Sequence, residues 1–216
     1  MSPLWLSLEV ATLATALVVV VGLPTALALL HLPKPASRVL EVFLLLPLVV
    51  PPSVTGLALL WLLGQHGPLG ALSMSLFGET PLFTAGAAVV ASAAIAFPLF
   101  LRSARAALEE VPVRQLQLAR VLGDTWLRAT LRVHLPLARR GILAGVALAF
   151  GRALGEFGAT LMVAGNIPGR TETLALAVYG HWLVGEDAQA WAAAALLAGA
   201  GIIVLALVSR WEGARA

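Results

Sequence analysis

Two charged residues interrupt an otherwise apolar run. Arg152 and Glu156 fall within residues 142–163 at a spacing of four, which on an α-helix puts both on one face where they can pair. A lone charge at mid-bilayer costs about 2.5–3.5 kcal/mol on insertion scales, so each must face a bundle interior and find a partner. Two readings stay open: the pair flanks a pathway or its gate, or it is an ion pair that holds the helix, since a paired Arg–Glu offers little net field to a passing ion. Thr160 and Asn166 follow closely. They could offer uncharged hydrogen bonds to a solute, or bond back onto their own helix and turn.

Bond-making chemistry has little to work with. Cysteine is absent, which removes disulfides, thiolate metal sites and a cysteine nucleophile. The histidines, His31, His66, His134 and His181, form no pair at ligand spacing on one face, so no metal site is expected. No Ser/His/Asp arrangement stands in a polar context. A Walker-type phosphate loop needs a lysine, and the only one is Lys34, between two prolines in LPKPA. No cofactor is therefore expected in this chain, and an ATP-driven process would need a separate ATPase.

The elements that must position these residues are membrane helices. Hydrophobic residues make up 60% of the chain and charged residues 12%, and mean hydropathy is +0.93; a soluble domain is about 45–50% apolar and about 25% charged. The composition predicts an all-α integral membrane protein of about five transmembrane helices, over residues 10–30, 42–63, 83–101, 142–163 and 190–208, in one transmembrane domain spanning 1–216. The N-terminus lacks a basic segment ahead of its apolar run, so it reads as a retained span. Pro24 interrupts the first span. Pro47, Pro51 and Pro52, with Ser53, Thr55 and Gly56 behind them, predict a kinked or unwound second span, from packing kinks or from lining a pathway.

Lys34 and Arg38 lie after the first span, eight arginines lie in residues 102–140, and Arg210 and Arg215 lie in the tail. With five spans these regions share one side, and basic loops stay cytoplasmic, so the N-terminus is expected outside and the C-terminus inside. The same distribution accounts for the net charge of +3 without nucleic acid.

Residues 102–140 form the long basic loop. Leu108, Val111, Gln115, Leu118 and Leu122 follow helical spacing. Gly123 suits a left-handed helix end, Asp124 or Thr125 can cap a second short helix through Trp126, Leu127 and Leu131, and Pro136 suits the first turn of the next. An amphipathic helix lying in the headgroups explains the arginines but not the fixed glycine and Leu-Pro. Gly141 and Gly145, and Gly151 and Gly155, have the small-xxx-small spacing that brings membrane helices into close contact.

Gln117-Leu118-Ala119, Gly123, Val133, Leu135 and Pro136 resemble the cytoplasmic signature of type I ABC importer permeases: Glu-Ala-Ala, three residues, Gly, nine residues, Ile, one residue, Leu-Pro. Gln117, Leu118 and Val133 depart from it. The resemblance implies that this loop is the coupling helix seated in a groove of an ATP-binding cassette ATPase, with Gln117, Ala119, Gly123, Asp124, Leu135 and Pro136 as coupling residues and Ala119, Gly123 and Asp124 at or near the contact. The stretch GRALGEFGATLMVAGNIPGRTETLALAVY, residues 151–179, resembles molybdate permeases; sulfate/thiosulfate and tungstate permeases are similar. PLVVPPSVTGLALLWLLG and FPLFLRSARAALEEV resemble the same family.

The resemblance implies a homodimer with the fourth helix at its interface, ATPase subunits that carry ATP and Mg, a periplasmic or extracytoplasmic molybdate-binding protein, and the plasma (inner) membrane of a bacterium or archaeon. This subunit would itself be non-catalytic. An ion-driven secondary transporter or channel is the alternative from another class. It would show more intramembrane polar groups or paired broken helices.

Overall fold

Helix α1 (Pro3–His31) opens where the Ser2 hydroxyl accepts the N–H of Trp5 and Pro3 takes the first helical position, whose N–H would be unpaired anyway. It thus begins well before residue 10. The computed structural model describes residues 2–213, and among them it has helices and no strand. Arg215 lies outside the described residues.

The three-proline stretch produces a full break. Helices α2 (Lys34–Val49) and α3 (Pro52–Leu63) meet at 111°, with Val50 and Pro51 extended between them at ψ 138° and 139°. A residue before proline is pushed out of the α region, and two prolines in series do this twice. A short helix, α4 (Pro68–Phe77), follows where no helix was expected.

Helix α5 (Ala85–Glu109), capped by the Thr84 hydroxyl on the N–H of Ala87, continues past residue 101 through the first part of the expected loop. It stops before Pro112. Helix α6 (Val113–Val121) starts afresh there, so Leu108 and Val111 do not share a helix with Gln115, Leu118 and Leu122. After Gly123, the Thr125 hydroxyl rather than Asp124 caps α7 (Trp126–Ala129) on the N–H of Arg128.

The helix does not stop before Pro136. A π-turn, Thr130–His134, leads directly into α8 (Leu135–Leu154), and together Trp126–Leu154 form one 29-residue helix. Pro136 explains the wide turn. Its ring would crowd the carbonyl four residues back and its nitrogen cannot donate, and opening the turn by one residue relieves both.

Residues 142–163 are not one helix either. The chain leaves α8 at Leu154, is irregular through Gly155–Phe157, and resumes as α9 (Gly158–Ala164). Helices α10 (Leu174–Leu183) and α11 (Asp187–Gly213) complete the described chain. Among the described residues, four helices are long and apolar enough to cross a membrane, and five spans result if the bent α2–α3 pair counts as one.

The main core joins α1, α5 and α8 around Ala14, Val18, Phe100, Ala104 and Ala149. Glycines set the spacing. A Cβ at Gly22 would come within 2.7 Å of Phe100 Cδ1, one at Gly145 within 3.0 Å of Ser103 Cβ, and one at Gly141 would overlap Ala107 Cβ. The Ser103 hydroxyl donates to the Gly141 carbonyl at 2.8 Å. Gly141 and Gly145 therefore pack within the chain. Gly151 has open space around it, and the only atom near a Cβ at Gly155 is the Gly151 carbonyl oxygen.

Candidate functional site

The two breaks lie side by side. Helix α3 leaves the first and packs along α9, which leaves the second; a Cβ at Gly158 would touch Pro52 Cβ at 3.3 Å, and one at Gly56 would press on the Ala159 backbone at 2.9 Å. Irregular backbone within a membrane survives where protein shields it or where it lines a cavity. Paired broken helices, expected above of an ion-driven transporter, are therefore present in this fold.

Arg152 and Glu156 meet at this junction, with Nη2 to Oε2 at 2.7 Å. They do not share a helix face, because Glu156 lies beyond the end of α8. Its other oxygen, Oε1, accepts the N–H of Ala159 at 2.8 Å. One carboxylate thus fastens the last turn of α8 to the first turn of α9. The Glu156 side chain is 1% exposed and that of Arg152 is 30% exposed, so the anion is the deeper partner. A carboxylate at a helix start also faces the positive end of its dipole.

Thr160, in the first turn and a half of α9, is fully buried, and its hydroxyl has no hydrogen-bond partner among the described residues. Asn166 lies past the other end of α9. Its Nδ2 donates to the Leu176 carbonyl at a long 3.4 Å, while Oδ1 is unpartnered. Neither residue makes the helix back-bond weighed from sequence. Glu156 and Asn166 therefore bracket α9 from opposite ends, about 10 Å apart along its axis.

Sequence reasoning missed three supports of this site. Phe83 takes φ 59°, an unfavourable left-handed conformation for an aromatic residue, and its N–H bonds the Val163 carbonyl at the end of α9. Thr171, fully buried, donates to the Gly165 carbonyl and accepts the N–H of Ile167. Ser7 of α1 accepts the N–H of Leu174 at 2.7 Å, where α10 begins. Only Thr171 had a local signal, the NIPGRT run of turn-forming residues. The groups are spread along α9, with the ion pair at its start, the unpartnered Thr160 hydroxyl within it and the Asn166 amide past its end.

Of the residues expected to couple, Gln117, Gly123 and Pro136 are exposed, Asp124 and Leu135 are half-buried and Ala119 is buried. Ala119 is buried against its own chain, and its carbonyl accepts the N–H of Asp124. The outward face of α6 carries Gln117, Leu118 and Val121, with Leu122 just past its end; Val121 and Leu122 are 83% and 79% exposed. Asp124 reaches Arg132 at 3.6 Å. Leu135 packs on the main core and Pro136 is exposed, on the long helix and not on α6.

Gly123 has φ 97° with nothing within 4 Å of an added Cβ, so conformation and not crowding requires glycine. Gly123→Ala is expected to cost the turn about 1–2 kcal/mol, seen as faster amide hydrogen exchange over residues 113–125 with α8 unchanged.

The loop is tied to two spans. His134, buried in the π-turn, holds the Leu108 carbonyl through Nε2 at 2.9 Å. Trp126 donates its indole N–H to His31 Nε2 at 2.9 Å, at the end of α1. Helix α7 also continues through the π-turn into α8, which ends at Leu154, two residues before Glu156.

A helical bundle with two broken segments side by side, joined by one continuous helix to an exposed loop, has the architecture of a membrane transport permease. The chain belongs to the family described as binding-protein-dependent transport system inner membrane component, whose profile matches residues 18–212. It is 42% identical over 174 residues to the molybdenum transport system permease protein ModB of Escherichia coli (strain K12), covering 81% of this chain and 76% of that one. To ModB of Azotobacter vinelandii it is 37% identical over 205 residues, 94% and 91% of the two chains. Among solved structures, the fold resembles the MetNI methionine ABC transporter in inward-facing conformations, with TM-score 0.75, 18% identity, and 96% and 92% of the two chains covered. It also resembles an amino acid ABC transporter solved with histidines, with TM-score 0.66, 22% identity, and 97% and 91% covered.

Proposed function

We propose that this chain is the membrane-spanning subunit of an ATP-driven importer of molybdate. The observation that carries the substrate is the similarity, over most of both chains, to permeases named for molybdenum transport. In this reading two copies form the pathway, with the junction of α3 and α9 as its gate and Thr160 and Asn166 as its uncharged hydrogen-bonding groups. A separate binding protein delivers the anion from outside. ATPase subunits, which carry the ATP and Mg, grip the loop from the cytoplasm. The permease makes and breaks no bonds; it converts displacement of α6 and α7 into rearrangement of the two breaks.

Uptake of labelled molybdate into vesicles holding this chain, its ATPase and its binding protein tests the proposal. Uptake should require ATP and should resist competition by excess sulfate. Transport without the ATPase would reject ATP coupling, and preferential sulfate uptake would reject the substrate. The exposed face of α6 gives a separate test. Leu122→Glu is expected to weaken ATPase binding by about 2 kcal/mol or more, as for a central apolar contact, while the chain still inserts. Undiminished co-purification of that variant with the ATPase would count against docking there.

A further inference from the structure

We propose that the turn between α1 and α2 holds the headgroup of an anionic phospholipid from the leaflet on the basic side of the membrane. A cavity of about 280 Å³ opens there between the end of α1, the first turn of α2 and the last turns of α5, lined by Leu30, Leu32, Lys34, Arg38, Arg105 and Glu109. Its cations are not equivalent. Arg105 is neutralised, with Nη1 on Glu41 and Nε on Glu109, both at 2.8 Å. Lys34 and Arg38 are exposed and make no hydrogen bond or ion pair among the described residues.

Two further features suit an anion with a hydrocarbon tail. Helix α2 starts at Lys34 behind Pro33, with no side chain capping its first turn, so its positive end adds to the two free cations. The Ser37 hydroxyl is turned away onto the Leu29 carbonyl at 3.0 Å, which fixes the turn of chain beneath the cavity. The neighbouring walls are apolar, and beyond them α2 exposes Val39, Val42 and Phe43, side chains suited to lie against an acyl chain. A basic pocket between membrane helices on the cytoplasmic side is a recognised headgroup site. A phosphodiester without a compensating cation satisfies Lys34 and Arg38, whereas a zwitterionic choline headgroup brings a third positive charge against them.

This inference is independent of the transported anion, and its test uses the single lysine of the chain. Full-length protein is placed in nanodiscs of phosphatidylcholine alone or mixed with phosphatidylglycerol, and acylation of Lys34 by an amine-reactive ester is followed by peptide mass spectrometry. Phosphatidylglycerol should slow Lys34 acylation several-fold in the wild type. In Arg38→Gln the slowing should shrink to what surface charge alone produces. Equal slowing in wild type and Arg38→Gln, or none in either, overturns the site. Equal protection by inorganic phosphate in phosphatidylcholine discs overturns the assignment to lipid.

Discussion

Arg152→Ala is expected to abolish most molybdate uptake and to lower the thermal stability of the detergent-solubilised chain, whereas Arg152→Ala combined with Glu156→Gln should recover much of the stability. The single variant leaves a carboxylate that is 1% exposed without its 2.7 Å partner. Stranding one member of a buried pair costs about 3–5 kcal/mol, and the low end applies because the guanidinium is partly exposed. The glutamine keeps an oxygen for the N–H of Ala159 but no buried charge. Uptake separates the two readings of the pair. If it only holds α8 to α9, the double variant should transport nearly as well as it folds. If its charge also acts on the anion pathway, the double variant folds but stays inactive. A single Arg152→Ala variant with normal stability and uptake would show that neither role exists.

Gly141→Ile is expected to prevent accumulation of folded protein, while Gly151→Ile, in the same helix, should fold. At Gly141 the new side chain meets Ala107 on a helix held by Phe100 and Leu101, so no flexible group can swing aside. Overpacking a filled core costs about 1–3 kcal/mol, and an isoleucine here meets backbone-proximal atoms, at the upper end of that range. At Gly151 nothing lies within 4 Å of an added Cβ. Size-exclusion profiles of fluorescent fusions report both outcomes. With two copies paired as proposed, a shift of Gly151→Ile to monomer would place the partner copy against the end of α8, and unchanged pairing would move that interface elsewhere.

Hydropathy locates the crossing segments but not their ends, because helices continue after charges begin. Arg102 to Glu109 belongs to α5 although its polarity reads as loop, and α1 starts seven residues before its uninterrupted apolar run. The break at Gly155–Phe157 is hidden for a related reason. An unwound turn in a membrane is shielded by neighbours, so the residues around it stay apolar, and the one charge within it, Glu156, reads as the helical partner of Arg152. The pairing of Arg152 with Glu156 is legible from spacing alone, yet the bond across a helix end is not, since it depends on that break. In the loop, periodicity suggests one helix through Leu122, while Pro112 already marks its interruption. Ala119 reads as outward because small residues permit close contact; the contact it serves is with its own chain.

The π-turn at Thr130–His134 has a geometric consequence. It contains one residue more than a regular α-helix would use for the same advance, and it absorbs that residue locally. The chain on either side therefore keeps the phase that a regular helix one residue shorter would have. Removing one residue within the turn would let it close to α geometry with Leu118 and Leu122 facing nearly the same way, whereas the same deletion inside α8 would rotate everything before it by about 100°. Pro136 disfavours the regular turn, and so fixes the extra residue at this place in the helix.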